Sequence, residues 1–266
     1  MLLPAAAIRK LRERFGYVEI NKATKIESGT GRDQTSTKTS FAGYQKRVGK
    51  ANVKKAMNAE TSTIYRDELA NIVFVKQGGK IALKNTPANW ELIGKGRSAY
   101  VFKIIGEQRA IKVFYPPFEH LAMEEARNYE KAAGISFFPR LYEAGEGYLV
   151  MDFIRGKTFF DCLAEGVAIT RDHVAQVDKA LELARRAGLN PSDIHLHNLL
   201  LTETGAVRLI DIARFSQKKQ CTQWQDLKRG YERHYGQYYF PKRVPKWLMR
   251  IVAYFYQLRK RLNGKQ

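Results

Sequence analysis

The chain has 266 residues, of which 44% are hydrophobic and 27% are charged, and this composition excludes a fibrous repeat and a chain disordered throughout. Two cysteines, Cys162 and Cys221, are too few for a disulfide framework. No apolar stretch reaches the roughly 18 residues of a membrane span, so we expect a cytoplasmic protein without a transmembrane helix.

The formal charge of +20 is concentrated at the two ends of the chain. Residues 1–60 contain 13 Lys/Arg and 5 Asp/Glu, residues 217–266 contain 13 and 2, and residues 61–216 contain 20 and 19. Basic ends around a near-neutral centre predict a polyanionic partner, either RNA or an anionic membrane surface where the protein would be peripheral. The alternative is that the charge only keeps the protein soluble.

The first 60 residues predict a basic and largely disordered arm. One short helix is indicated at about residues 5–14, and residues 21–59 are rich in Ser, Thr, Gly and Lys. Too few apolar side chains are present there to offset the entropy lost on ordering. We therefore place the folded domain at residues 61–266.

The folded part opens with β-type runs at 72–77 and 80–84, and Gly78-Gly79 between them is a hairpin signal. Three further strands are predicted at 90–93, 99–105 and 108–114, followed by an amphipathic helix at about 118–133. This pattern is typical of an antiparallel meander with one helix.

The turn between the first two strands of the meander has the sequence Gly94-Lys95-Gly96-Arg97-Ser98-Ala99-Tyr100-Val101. Glycines allow a backbone turn to approach phosphate groups closely, and Val101 on the next strand could cover a purine ring. Taken alone, the motif also fits an ordinary glycine hairpin.

Lys112 lies inside the apolar run Ala110-Ile111-Lys112-Val113, where an unpaired ammonium group would be costly to bury. Glu125 shares a helical face with apolar residues, whereas Glu124 lies off that face. Glu125 is therefore the better candidate partner for Lys112, and a solvent-facing Glu125 is the alternative.

A buried strand at 148–152 leads into a linker, and a helix follows at 171–187 with Thr170 as its N-cap. Asp193 and Asn198 precede one short strand, and Asp211 ends the strand predicted to pair with it. A hairpin of this kind brings the three side chains to one end. Their oxygens suit Mg²⁺, with one carboxylate left to orient a hydroxyl group.

In this order of motifs, residues 90–215 resemble the protein-kinase-like superfamily, in particular its small bacterial-type or atypical serine/threonine kinases. The resemblance implies a two-lobed α+β fold in which a small antiparallel sheet with one helix precedes a reduced, mainly helical lobe. The implied N-lobe is residues 61–150, the hinge 151–156 and the C-lobe 157–266. ATP and Mg²⁺ are the implied cofactors, and the acceptor is a hydroxyl group of a protein or a small molecule.

The resemblance also assigns roles to residues. The implied catalytic residues are Asp193, Lys112 and Glu125, and the implied metal ligands are Asn198 and Asp211. Met151 matches the gatekeeper position and Asp152 to Ile154 match the hinge. The implied nucleotide-binding residues are Ile93, Gly94, Gly96, Ser98, Ala99, Val101, Ala110, Lys112, Met151, Asp152 and Ile154.

The sequence also departs from the superfamily pattern. Pro191-Ser192 replaces His-Arg before Asp193, Ile212-Ala213 replaces Phe-Gly after Asp211, and no Ala-Pro-Glu follows. We therefore expect a kinase without a long activation segment. His195 resembles the histidine of aminoglycoside phosphotransferases, so a small-molecule or lipid-saccharide kinase is the first alternative. A nucleotide-binding pseudokinase or an RNA-binding scaffold is the second.

A final helix is predicted from Pro245 onward. One of its faces is apolar, with basic residues on the rest of its surface. We expect this face to pack on the domain core, and an anionic membrane interface is the alternative. The apolar face consists of Trp247, Leu248, Ile251, Val252, Phe255, Leu258 and Leu262.

Overall fold

The computed structural model describes residues 39–40, 65–77 and 80–263. The chain forms two compact units. The described part of the first, here the sheet unit, is residues 39–40, 65–77, 80–123 and 141–152, and that of the second, here the helical unit, is residues 124–140 and 153–263. The predicted helix at 5–14, the Gly78-Gly79 turn and the arm other than residues 39–40 lie outside the described residues.

The sheet unit contains two antiparallel sheets. The first has the order β1-β2-β3, and a short helix α1 (Arg66–Ala70) precedes β2. The predicted pair of strands around residue 78 is confirmed, because Gln77 pairs with Lys80. The strands of this sheet are β1 (Thr39–Ser40), β2 (Val73–Gln77) and β3 (Lys80–Asn85).

The second sheet has the order β4-β5-β6-β8-β7. The predicted meander and the strand at 148–152 are confirmed, but β7 was not predicted. The central residue of β7, Glu143, is buried, and its carboxylate accepts a hydrogen bond from the Tyr148 hydroxyl. Because a charged residue occupies this buried position, the strand lacks the apolar pattern that predicts a strand. The five strands are β4 (Trp90–Lys95), β5 (Ala99–Ile104), β6 (Arg109–Phe114), β7 (Leu141–Gly145) and β8 (Tyr148–Asp152).

Aromatic side chains hold the two sheets of this unit together. The rings of Phe74 on β2 and Tyr100 on β5 stack with their centroids 5.7 Å apart. Tyr115 contacts both rings and, in an edge-to-face arrangement, Phe118. Such pairs stabilise a core beyond the area that they bury, so the small first sheet is anchored to the larger one.

The helical unit contains a three-stranded antiparallel sheet of order β11-β10-β9 and most of the helices. The predicted helices near 118–133 and 171–187 and the one after Pro245 are confirmed, whereas α3, α5 and the π-helical turn were not predicted. Its elements are α2 (Leu121–Lys131, whose first turn lies in the sheet unit), β9 (Gly156–Thr158), α3 (Phe159–Glu165), α4 (Arg171–Arg186), β10 (Leu199–Thr202), β11 (Val207–Leu209), α5 (Gln223–Gly230), the π-helix (Tyr231–Tyr235) and α6 (Lys246–Asn263).

Helix α4 begins as its sequence predicts. The Thr170 hydroxyl accepts a hydrogen bond from the His173 backbone N–H, and the His173 ring accepts one from the Thr170 N–H. This reciprocal cap satisfies two amide groups that a helix start leaves without partners. One face of the helix is buried in the core, namely Val174, Val177, Ala180, Leu181 and Ala184.

The prediction that the apolar face of α6 packs on the domain core is wrong. Trp247, Val252 and Phe255 are each more than 60% exposed, and Leu258 is 39% exposed. The helix instead packs through Met249, which lies in a small core with Phe160 and Val244. An apolar stripe shows only that a face can be buried, and here a different face meets the core.

The antiparallel sheets and the helices together make an α+β fold, and the prediction of a two-lobed kinase-like fold is confirmed. Within the described residues, no helix is both long enough and apolar enough to cross a bilayer.

Candidate active site

The loop between α4 and β10 carries the first predicted carboxylate. Asp193 has φ 60°, a left-handed backbone conformation that few residues other than glycine adopt. The Asn198 side chain donates through Nδ2 to the Asp193 carbonyl oxygen at 3.2 Å, and the Asn198 backbone N–H donates to the His195 carbonyl. Asn198 therefore closes the loop and stands beside Asp193, as the sequence predicted.

Asp211 follows β11 and has φ 59°. Leu199 pairs with Leu209, and the Ile210 N–H donates to the Asn198 carbonyl oxygen at 3.0 Å. The hairpin of β10 and β11 thus brings the Asp211 segment alongside Asn198. Two left-handed aspartates in segments that both bond to Asn198 mark backbone strain of about 1–3 kcal/mol each, which is common at functional sites.

Helix α2 is tied to the Asp211 segment through side chains that the sequence analysis did not single out for this role. Asn128 is buried and donates through Nδ2 to the Ile212 and Ala213 carbonyl oxygens at 2.9 and 3.3 Å. Burial raises the pKa of Tyr129 well above its usual value, and the nearby carboxylates of Glu125 and Asp211 add to the effect. The hydrogen bonds of Asn128 therefore hold helix α2 against the segment that carries Asp211, a candidate metal ligand.

Glu125 itself is fully buried, and its neighbour Glu124 is exposed. The helical phase predicted this difference, because Glu125 shares a face with Tyr129 and Ala132, which are also buried. The role assigned to Glu125 stays a prediction.

Arg214 is a candidate site residue that the sequence analysis missed. Its Nε lies 3.4 Å from Oδ2 of Asp193, and its side chain is 54% exposed. An ion pair so exposed adds little stability, so we interpret Arg214 as a group that orients the Asp193 carboxylate. A basic residue three positions after Asp211 was the available signal.

The two histidines of the loop have different surroundings. The His197 ring stacks on Phe160 with 4.1 Å between centroids, and burial, with the neighbouring His195, lowers the pKa of His197 to about 4. His197 is therefore neutral at neutral pH and packs as a structural side chain. His195 lies in an edge-to-face contact with it and is half-buried.

In the sheet unit, the glycine-rich turn joins β4 to β5. Gly94 pairs with Val101, and the Gly96 N–H donates to the Ala99 carbonyl oxygen at 2.8 Å, which closes the turn tightly. The pairing register shifts between Leu92 and Gly94, and Ile93 there is 40% exposed. The Ser98 carbonyl accepts from the Tyr115 N–H, so the far side of the turn is also fixed.

Strand β6 places Lys112 next to this turn. Lys112 pairs with Val101, is 8% exposed and has its Nζ 5.2 Å from the centre of the Phe114 ring. The strand therefore does bury this ammonium group, as the sequence predicted.

The pairing of strands β6 and β8 also positions further residues that are predicted to bind the nucleotide. Ala110 pairs with Met151, which is buried. The Asp152 carboxylate accepts a hydrogen bond from Tyr142 at 2.7 Å. Ile154, the last predicted nucleotide-binding residue, belongs to the helical unit and is half-buried.

No protein-family model matches the chain. A Bacillus subtilis protein named "Putative serine/threonine-protein kinase YrzF" is 48% identical over 194 residues, which are 72% of this chain and 90% of that protein. A Clostridium acetobutylicum protein named a probable serine/threonine-protein kinase is 28% identical over 151 residues, 50% of this chain and 23% of that protein. Human ribosomal protein S6 kinase alpha-3 is 28% identical over 177 residues, 58% of this chain and 24% of that protein. The chain thus spans about a quarter of the last two.

Proposed function

This chain belongs to the protein-kinase-like superfamily and is a phosphotransferase, and we propose that it transfers the terminal phosphate of ATP to serine or threonine hydroxyls of proteins with the help of Mg²⁺. The observation that carries the proposal is the arrangement of the helical unit, where Asn198 joins the Asp193 loop to the Asp211 segment. The identity of 48% to a protein named a serine/threonine kinase supports the same activity.

The residues of the sheet unit suit a nucleotide. The tight turn at Gly94 and Gly96 carries little side-chain bulk, so its backbone can approach phosphates, and the proposal gives Lys112 the role of aligning them. Glu125, buried on α2, is the anionic residue that the superfamily resemblance assigns to the same function. The exposed Ile93, with Val101, Ala110 and Met151, would contact the base.

The donor set of the helical unit suits Mg²⁺, which prefers a few carboxylate and amide oxygens together with phosphate oxygens. Asn198 uses Nδ2 in its bond to Asp193, which leaves its Oδ1 as the amide atom that can ligate a metal. The Asp211 carboxylate is exposed and can do the same. When bound, Mg²⁺ would neutralise charge on the phosphate groups of ATP.

In the proposed step, the oxygen of the acceptor hydroxyl forms a bond to the terminal phosphorus, the bond from phosphorus to the bridging oxygen breaks, and ADP leaves. Asp193 accepts the hydroxyl proton, and Arg214 holds its carboxylate in orientation. Residues 212–222 connect Asp211 to α5, and this short connection supports the proposal of a kinase without a long activation segment.

Two substitutions test the assignment of the two aspartates. Asparagine tolerates the left-handed backbone, so Asp193→Asn and Asp211→Asn change the charge with little added strain. We expect Asp193→Asn to bind nucleotide almost as the wild type does while transfer of labelled phosphate falls about 10²–10⁴-fold. Asp211→Asn should lose Mg²⁺-dependent turnover.

Asp172→Asn, at an exposed position on the first turn of α4, is the matched control and should leave both measurements unchanged. Transfer by Asp193→Asn at the wild-type rate would contradict the role given to that carboxylate.

The identity of the phosphate acceptor needs its own test. His195, two residues after Asp193, favours a small-molecule or lipid-saccharide kinase as a second candidate function. The same labelled-ATP assay with proteins, aminoglycosides and sugar lipids distinguishes these acceptors. Nucleotide binding without transfer to any of them would favour a pseudokinase or a scaffold.

The excess of basic residues at both ends supports a further part of the proposal, an anionic partner that is either RNA or a membrane surface. Binding to RNA and to anionic vesicles at low and at high salt tests it, because polyanion binding weakens steeply with ionic strength.

A further inference from the structure

Helix α6 presents an apolar face to solvent. Trp247, Val252 and Phe255 are 63%, 61% and 61% exposed, and Leu248 and Leu258 are 36% and 39% exposed. These five residues, here called the α6 patch, follow one another at steps of one, three or four positions, so they share one side of the helix. Contiguous apolar surface of this kind on a folded domain is typical of an interaction site.

The opposite side of α6 is already bound to the helical unit. Met249 is buried with Phe160 and Val244, the Tyr256 hydroxyl donates to Asp226 at 2.7 Å, and Lys246 forms an ion pair with Asp161 at 3.2 Å. The helix is therefore anchored between Lys246 and Tyr256, and the α6 patch is its outward side.

The positive charge of the segment that contains the patch favours an anionic partner. Residues 217–266 contain 13 Lys/Arg and 2 Asp/Glu, and one of the two acids, Asp226, is bound by Arg229 and Tyr256. Arg259 follows Phe255 by one helical turn and is exposed. It also lines an open groove of about 960 Å³ beside the helix, together with Asp226, Arg229, Glu232, Arg233 and Tyr256.

We propose that the α6 patch and its basic surroundings dock on the surface of an anionic phospholipid bilayer, with α6 lying in the plane of the interface. Apolar and aromatic side chains would enter the boundary between headgroups and acyl chains, while Arg259, Arg233 and Lys242 meet the phosphates. Exposed aromatic side chains in the segment that precedes the helix, Tyr238 at 97% and Tyr239 at 56%, also suit this boundary.

A second copy of the chain fits this surface less well. Two copies meeting through the patch would bring two strongly basic segments together, and like charges repel. An anionic bilayer has the complementary charge. This inference deepens the proposal of an anionic partner and is independent of phosphate transfer.

Tryptophan fluorescence of the whole chain tests the inference directly. The chain has three tryptophans, and Trp90 and Trp224 are only 5% and 7% exposed, so a change on binding reports on Trp247. Vesicles of equal parts phosphatidylcholine and phosphatidylglycerol should shift the emission to shorter wavelength and sediment the protein. Phosphatidylcholine vesicles should do neither, and Trp247→Phe should bind the anionic vesicles without the shift.

Phe255→Ser should lower partitioning into the anionic vesicles about tenfold, because an apolar ring no longer enters the interface. Ile105→Ser, which removes an apolar side chain that is 57% exposed in the sheet unit, is the matched control and should bind as the wild type does. Both variants should keep the melting temperature, since both positions are exposed. Phosphate transfer, assayed in parallel, should not change in Phe255→Ser, so failure of the kinase proposal would be seen separately.

Three results would overturn the inference. One is equal vesicle binding by Phe255→Ser and the wild type. Another is an absence of binding to anionic vesicles. The third is self-association in sedimentation velocity that shifts the Trp247 emission without lipid, which would make the patch a protein interface.

Discussion

The sheet unit and the helical unit hold their candidate site residues by different means. Lys112, Val101 and Met151 lie on regular antiparallel strands, where the pairing register alone fixes their neighbours. Asp193 and Asp211 lie instead in left-handed backbone, between elements rather than within them. The surface proposed to cover the nucleotide is thus built from ordinary strands, whereas the acidic groups depend on particular hydrogen bonds that keep a strained backbone in place.

Removing one of those hydrogen bonds should reduce both the stability of the protein and its turnover. Asn128→Ala deletes the buried donor to the Ile212 and Ala213 carbonyls, and we expect the free energy of unfolding to fall by about 1–3 kcal/mol. Turnover should fall about tenfold, a barrier change of about 1.4 kcal/mol, because Asp211 is displaced. Urea unfolding and the phosphate-transfer assay measure the two quantities.

Asn190→Ala is the control for this prediction, since Asn190 donates to Gln217 and Lys219 further along the same segment. It should reduce stability and spare turnover. If the two variants reduced turnover equally, the special dependence of Asp211 on Asn128 would be refuted.

A pair of glycines sharpens the same comparison. A methyl group on Gly156 in the helical unit would lie 2.7 Å from the Leu201 carbonyl oxygen, whereas one on Gly94 in the sheet unit would meet Val101 at 3.5 Å, an ordinary contact. We expect Gly156→Ala to lose about 1–3 kcal/mol of stability and Gly94→Ala to stay within about 0.5 kcal/mol of the wild type.

Gly94→Ala should nevertheless weaken nucleotide binding, because the added methyl group keeps the turn away from phosphates. Urea unfolding and titration with a non-hydrolysable ATP analogue measure the two effects. Unchanged nucleotide affinity in Gly94→Ala would contradict the proposal that this turn binds the phosphates.

The smallest effect concerns the attachment of α6. Tyr256→Phe removes the hydrogen bond to Asp226 and should cost about 1 kcal/mol, and the same change at the 97% exposed Tyr238 should cost nothing measurable. Thermal unfolding at several pH values checks this. No difference between the two variants would show that the bond contributes nothing to holding the helix.

The change in the stability of the protein at low pH has a definite sign. The Tyr256 bond is the largest cause that lowers the pKa of Asp226, followed by the Arg229 and Thr222 side chains. A carboxyl with a lowered pKa stabilises the fold above the usual pKa of an aspartate, about 3.9, and loses that contribution as pH falls through the lowered value. Tyr256→Phe should therefore lose less stability on acidification than the wild type.

The sequence predicted the regular elements because their signals are local. Alternation gave the strands from Trp90 to Phe114, and a Thr cap with an apolar stripe gave α4. The elements that escaped prediction are short or polar. Strand β9 has three residues, α3 has seven, and β7 carries the buried Glu143 at its centre.

In the candidate site, too, the contacts between residues near each other in the sequence were predicted and the distant ones were not. The sequence predicted that Asp193 and Asn198 meet, because five positions in one loop separate them. It gave no sign that Asn128 binds the Ile212 carbonyl, because 84 positions separate those residues. The contact of Arg214 with Asp193 was missed for a related reason, since the folding of two separate loops decides it.

The amino-acid sequence by itself determined that this chain has an antiparallel sheet with a buried lysine, a helix with an inward glutamate, and a hairpin that gathers two aspartates and an asparagine. These follow from side-chain periodicity and from spacing within one loop or hairpin. Tertiary structure alone decided which face of α6 meets the core and which side chains hold the Asp211 segment. An amphipathic pattern specifies that a face can be buried, whereas the surface that covers it is contributed by residues far away in the chain.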